Sequence, residues 1–162
     1  MKNLKIKLLT GLIAFSCITS ANAATATAPM QITATVDAKC NLTASNMNFA
    51  NAQPGSMTTT ISGSTTFGVE CTKDTSYILS FNMGLYSSGI GGTRRLKHTS
   101  KTEYLNYSMR VGATTIDDMN ILAGTGQGFG TVNTQTINGD LTLPGNASTG
   151  SYSDTVTVTI TY

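Results

Sequence analysis

The closing residues alternate without a break. Thr155, Thr157, Thr159 and Thr161 fall on one side of an extended chain, and Val156, Val158, Ile160 and Tyr162 on the other. Successive strand side chains point to opposite faces, whereas a helix returns to the same face only every three or four residues. This run therefore suits a half-buried strand and no helix. The same period recurs at Ala28, Met30, Ile32, Ala34 and Val36, and at Phe67, Val69 and Cys71. It appears again at Tyr77, Leu79, Phe81 and Met83, and at Leu105, Tyr107, Met109 and Val111. Weaker strands are expected near Met47–Phe49 and Ile137–Leu143. Threonine, which suits a pleated surface, occurs 27 times after residue 23.

Between these runs lie turn formers. Gln53-Pro54-Gly55 pairs a preset φ with a residue free to take positive φ. Residues 84–93 are rich in Gly and Ser, and residues 124–130 contain four glycines. Short alternating strands punctuated in this way, with no internal repeat or linker, predict one all-β sandwich. Two features sit oddly with a self-contained sandwich. The sequence ends inside its most regular strand, and residues 24–36 form an alternating arm ahead of the body. A sandwich lacking its last strand would expose a groove and unpaired backbone groups.

The first residues have the form of an export signal. Lys2, Lys5 and Lys7 precede an apolar stretch from Leu8 to Ile18, and Ala21-Asn22-Ala23 places small residues at −3 and −1 of a cleavage site. The expected organisation is a signal peptide at 1–23, an arm at 24–36 and a domain at 37–162. The three lysines leave with the signal, turning a formal charge of +2 into −1. No concentrated basic face remains to suggest nucleic acid. Cys17 leaves as well, so Cys40 and Cys71 remain as an even pair, which an oxidising periplasm favours as one disulfide.

Residues with catalytic potential are sparse. His98, the sole histidine, has no obvious Ser, Cys or carboxylate partner, and zinc or copper sites ask for more histidines. It reads as a solvated loop residue, as does the basic run of Arg94, Arg95, Lys97 and Lys101. Asp117-Asp118 beside Asn120 reads as a turn, because adjacent strand residues face opposite ways. Gly126-Gln127-Gly128-Phe129-Gly130 lacks the Lys-Ser/Thr ending of a phosphate loop. The sequence thus predicts no enzyme, cofactor or metal.

Three stretches carry a resemblance. Cys40-Asn41-Leu42 after an alternating arm, Leu105-Asn106-Tyr107 in mid-chain, and the run from Gly150-Ser151-Tyr152-Ser153-Asp154 to Tyr162 are similar to the spore coat protein U-like family. That family includes subunits of archaic (Csu-type) chaperone–usher pili. The resemblance implies an incomplete immunoglobulin-like sandwich of pilin type with an extended N-terminal donor arm, polymerised by donor-strand exchange. Ala28, Met30, Ile32, Ala34 and Val36 become the inward-facing donor residues, and Val156, Val158, Ile160 and Tyr162 border the groove as the chaperone edge. The implied partners are identical or related pilus subunits, a periplasmic chaperone and an outer-membrane usher. The implied location is the cell surface, reached through the periplasm, with a role in attachment and biofilm formation. A secreted coat or matrix protein of the same family is the alternative.

Overall fold

The structure is a computed structural model that describes residues 23–49 and 52–162. The expected signal peptide, Ala23 apart, lies outside the described residues. The chain divides into two units, Met1–Ala34 and Thr35–Tyr162. In the first unit, residues 23–34 have no regular secondary structure and are exposed, with Met30 and Ile32 at 81% and 83%.

The second unit is built from strands, with no helix among the described residues. In chain order they are β1 (Cys40–Ala44), β2 (Thr59–Cys71), β3 (Ser76–Phe81), β4 (Arg94–His98), β5 (Tyr104–Val111) and β6 (Thr114–Thr115). There follow β7 (Leu122–Thr125), β8 (Asn133–Leu143), β9 (Tyr152–Ser153) and β10 (Val158–Thr161). One sheet has the order β1-β2-β8-β5-β4-β9, with β6 alongside β5; the other is β10-β3-β7. Every pairing is antiparallel. This is the all-β sandwich that the alternation predicted, in the incomplete, pilin-type form that the resemblance implied.

Period two decides which side chains meet. Phe67, Val69 and Cys71 of β2, Ile137 and Leu141 of β8, and Leu105, Tyr107 and Met109 of β5 turn inward. They meet Tyr77, Leu79 and Phe81 from β3, and the Phe67 and Phe81 rings pack edge to face at 5.8 Å. Each large side chain so buried contributes about 1.5–3 kcal/mol. The outer face is polar. Ser62 donates to Asp140 at 2.7 Å, and Asp140 also pairs with Arg110; these hydrogen bonds, Ser62 first, hold its carboxyl below the usual range.

Cys40 and Cys71 form the expected disulfide. They are also direct cross-strand partners at the first position of β1 and the last of β2. Closing this loop stabilises the fold by about 3–4 kcal/mol in the chain-entropy picture.

Three strand expectations change. The arm at 28–36 forms no strand and has no strand partner among the described residues. Met47–Phe49 is not a strand either: after Ser45 N–H donates to Thr66 O at 3.0 Å, no further β2 pairing continues. The closing run is a strand only over Val158–Thr161, because the residues before it cross from one sheet to the other.

Candidate functional site

Where the chain leaves β2 after Ser45, it passes over the inner face of the large sheet. Gly63 of β2 and Gly139 of β8 are cross-strand partners there. A Cβ at Gly63 would stand 2.9 Å from the Asn48 carbonyl oxygen, and one at Gly139 would meet the Met47 sulfur and lie 3.0 Å from the Phe49 ring. The paired glycines thus let residues 47–49 lie close on the sheet. Met47 and Phe49 are partly buried against the core, and Phe49 tilts onto Tyr107 at 6.3 Å.

On the far side, the chain from Tyr152 to Val158 crosses between the sheets. Its first residues belong to β9, paired with β4, and its last to β10, paired with β3. Between this crossing and residues 44–49 an open cleft of about 620 Å³ remains. Its floor is apolar, made by Phe67, Phe81, Leu105, Met109, Ile137 and Leu141. One wall carries Ala44 and Met47 to Phe49, and the other Asp154 to Val156 and Val158. β1 and β10, which frame it, are each the terminal strand of a sheet. The cleft is where a sandwich would carry one more strand.

The Gly-x-Tyr-x-Asp stretch fixes the crossing. Gly150 packs so closely on the His98 ring that a Cβ there would overlap it. Tyr152 lies edge-on to His98 at 4.8 Å, and its hydroxyl is within hydrogen-bond reach of a Glu103 carboxylate oxygen at 2.9 Å and of Ser148 O at 3.0 Å. Asp154 accepts from the Tyr107 hydroxyl at 2.6 Å and from Leu85 N–H at 2.8 Å. Burial, and then that bond to Asp154, raise the Tyr107 phenol well above its ordinary range. Asn82 ties in Thr157, donating from N–H to its carbonyl and accepting its N–H at 2.8 Å.

The basic run differs from expectation at Arg94, Arg95 and His98, while Lys101 is exposed as expected. His98 closes β4 and is 5% exposed, not solvated. Its Nδ1 accepts from Ser100 N–H at 2.9 Å, which leaves Nε2 as the donor to Thr149 O at 3.1 Å. Arg94 is 3% exposed, and its guanidinium donates to Asn82 O and Ile116 O. Arg95 donates to Tyr86 O and Ser87 O while covering the Tyr104 ring at 4.5 Å. These differences have one cause: the hydrogen-bond partners lie far away in sequence or in loops. Asp117 does make the expected turn, accepting from Asn120 and Met119 N–H, which lower its carboxyl.

Among the anticipated groove residues, Val156 and Val158 line the cleft, and Ile160 packs against the core beyond it. Tyr162 stands apart, 56% exposed beside Ser76 and Ile78. Sequence reading missed the wall at residues 44–49; the paired glycines were its signal. Among the described residues, no group of three or more His, Cys, Asp or Glu side chains could hold a metal ion.

Comparison with known proteins places this geometry. A chain in the crystal structure of the CsuC–CsuE chaperone–tip adhesion subunit pre-assembly complex, from the archaic chaperone–usher Csu pili of Acinetobacter baumannii, matches with a TM-score of 0.60 at 20% identity. The match takes in 79% of this chain and 41% of that one, so the likeness is one of fold over about two fifths of the larger chain. Protein U of Myxococcus xanthus is 29% identical over 167 residues, 93% of this chain and 91% of its own length. The Spore Coat Protein U domain model matches residues 26–159, and the chain therefore belongs to the spore coat protein U domain family.

Proposed function

We propose that this protein is a structural subunit of an archaic chaperone–usher pilus, polymerised by donor-strand exchange. The observation that carries the reading is the cleft itself: an apolar floor between two terminal strands, one strand short of a complete sandwich. Residues 24–36 supply a fitting occupant. They carry no charged side chain, and Met30, Ile32 and Val36 are almost fully exposed. Burying those three in a neighbour's cleft contributes about 1.5–3 kcal/mol each before the cost of association. Ala28 and Ala34 complete the inward-facing set, and added main-chain hydrogen bonds to β10 supply affinity without sequence preference. Before assembly, a periplasmic chaperone covers Val156, Val158, Ile160 and Tyr162, and an outer-membrane usher receives the subunit. Export rests on the signal peptide at 1–23, and the fibre supports attachment and biofilm formation at the cell surface.

The experiment is deletion of residues 24–36. The shortened subunit should still bind its chaperone but form no fibres by electron microscopy. Grafting the same residues after Tyr162 through a flexible linker should give a soluble monomer that melts well above the chaperone-free parent. Normal fibres from the armless protein would refute donor-strand exchange through this arm. The whole-length likeness to Protein U favours a second reading, a secreted coat or matrix protein assembled without an usher. Surface deposition that persists when the usher is absent would select it.

A further inference from the structure

Any pull on the arm reaches the first strand of the folded body at Cys40. Without the disulfide it would pass into β1, which has five residues and pairs only with β2. The chain next in line is Ser45–Phe49, the wall of the cleft. Drawing that segment out would lift Met47 and Phe49 from Gly63 and Gly139 and open the cleft. The disulfide offers another route. Cys71 ends β2, the longest strand, which is flanked by β1 and β8. The residues after it, 72–75, lead straight into β3, which holds β10.

We propose that the Cys40–Cys71 disulfide is a tension bypass, which hands a pull on residues 24–36 to the β2–β3 connection between the sheets and leaves the cleft wall unloaded. Residues 41–70, which include that wall, then sit in a covalent loop off the line of force. A set of hydrogen bonds splices the same two places. Lys39 N–H donates to Thr72 Oγ1 at 3.0 Å, and Thr72 N–H donates to Lys39 O at 2.9 Å. The Thr72 hydroxyl also lies within reach of Lys39 O and Asp37 O. That connection is buttressed in turn: Gly128 N–H donates to Cys71 O, Asp74 N–H to Gly126 O, and Gly126 N–H to Thr75 O. The load therefore enters where both sheets and the 126–128 loop converge. The inference rests on the donor-arm reading, since only an assembled arm carries tension.

Single-molecule pulling on the full chain tests it. Handles at residues 30 and 162 load the arm; handles at Gly89 and Gly112, in open loops, load the body without it. Forced unfolding reads the barrier to opening, so replacing both cysteines by alanine should lower the arm-pull force at least about two-fold and the loop-pull force much less. Equal fractional losses in both geometries would overturn the proposal, because the bond would then only stabilise the fold. Should the double variant fail to fold, the disulfide-intact protein is pulled from residue 30 and then from residue 46. Opening at a clearly lower force from residue 46 is expected, and equal forces would refute the bypass. Single chains suffice, so a failure of fibres to form refutes donor-strand exchange without deciding this measurement.

Discussion

The paired glycines beneath the cleft wall permit a sharp comparison. Alanine at Gly63 or Gly139 adds one methyl group at neighbouring positions on the same face, yet the two should behave differently. At Gly63 the methyl would meet the Asn48 carbonyl oxygen at 2.9 Å, a backbone atom that cannot rotate away, with the Phe49 ring at 3.0 Å behind it. At Gly139 the first obstacle is the end of the Met47 side chain, which can swing. Overpacking of this kind costs about 1–3 kcal/mol where the obstacle is fixed. Replacing Gly by Ala in a strand returns about 0.5–1 kcal/mol. Gly63→Ala should therefore lose about 1–2 kcal/mol net, a melting temperature about 4–8 °C lower for a domain of this size. Gly139→Ala should melt within about 2 °C of the parent, because the strand gain offsets a small rearrangement.

The second half of the prediction concerns the cleft. Met47 lines it, so a displaced Met47 should occupy donor space. A peptide of residues 24–36 should bind the Gly139→Ala domain about ten-fold more weakly, equivalent to about 1.4 kcal/mol. Calorimetric melts and peptide anisotropy measure the two effects separately. If Gly63→Ala melts as high as Gly139→Ala, the Asn48 backbone is not held against the sheet, and the account of the wall fails.

His98→Ala removes the acceptor of Ser100 N–H, the donor to Thr149 O and the ring against Tyr152; denaturant titration should show a loss of about 2–4 kcal/mol, and a change under 0.5 kcal/mol would restore the solvated reading. Glu103 is held down to about 2 by Ser148, through its backbone N–H and then its hydroxyl, followed by the Tyr152 hydroxyl. Its depressed value means a contribution present above about pH 4.5 and lost as pH falls toward 2, so the parent should weaken over that window more than Glu103→Gln does; identical acid profiles would remove Glu103 from the account. Tyr107→Phe leaves an Asp154 carboxylate oxygen without its donor and should cost about 1–3 kcal/mol by urea titration, with the Asp154→Ala, Tyr107→Phe pair less than additive.

The legible part of this fold is the part with strong local rhythm. β3, β5 and the second half of β2 followed from alternation, because each pairs an apolar face with a polar one. The first half of β2 did not, since Thr59–Thr66 carries Ile61 as its only large apolar side chain; its ladder with β8 holds it extended. The closing run looked like a single strand, yet Asp154 and Asn82 bend it between sheets before Val158. The groove could be inferred from a missing strand, but its second wall depends on glycines at 63 and 139 becoming neighbours, a pairing across 76 residues. Burial of Arg94 and His98 was illegible for the same reason: each is satisfied by backbone groups, which carry no residue signature.

The lateral edges of the two sheets bear on how such a chain avoids clumping. The strands that end the sheets are β1, β9, β10 and β7, of five, two, four and four residues. Short edges give a stray strand little to zip along, and they are one way that natural sheets discourage sideways association. Beside the cleft, β1 and β10 adjoin an uncovered apolar floor. Under the proposed donor-strand exchange, crowded chains have one productive place to join and several poor ones, a bias toward growth along a line and away from tangles.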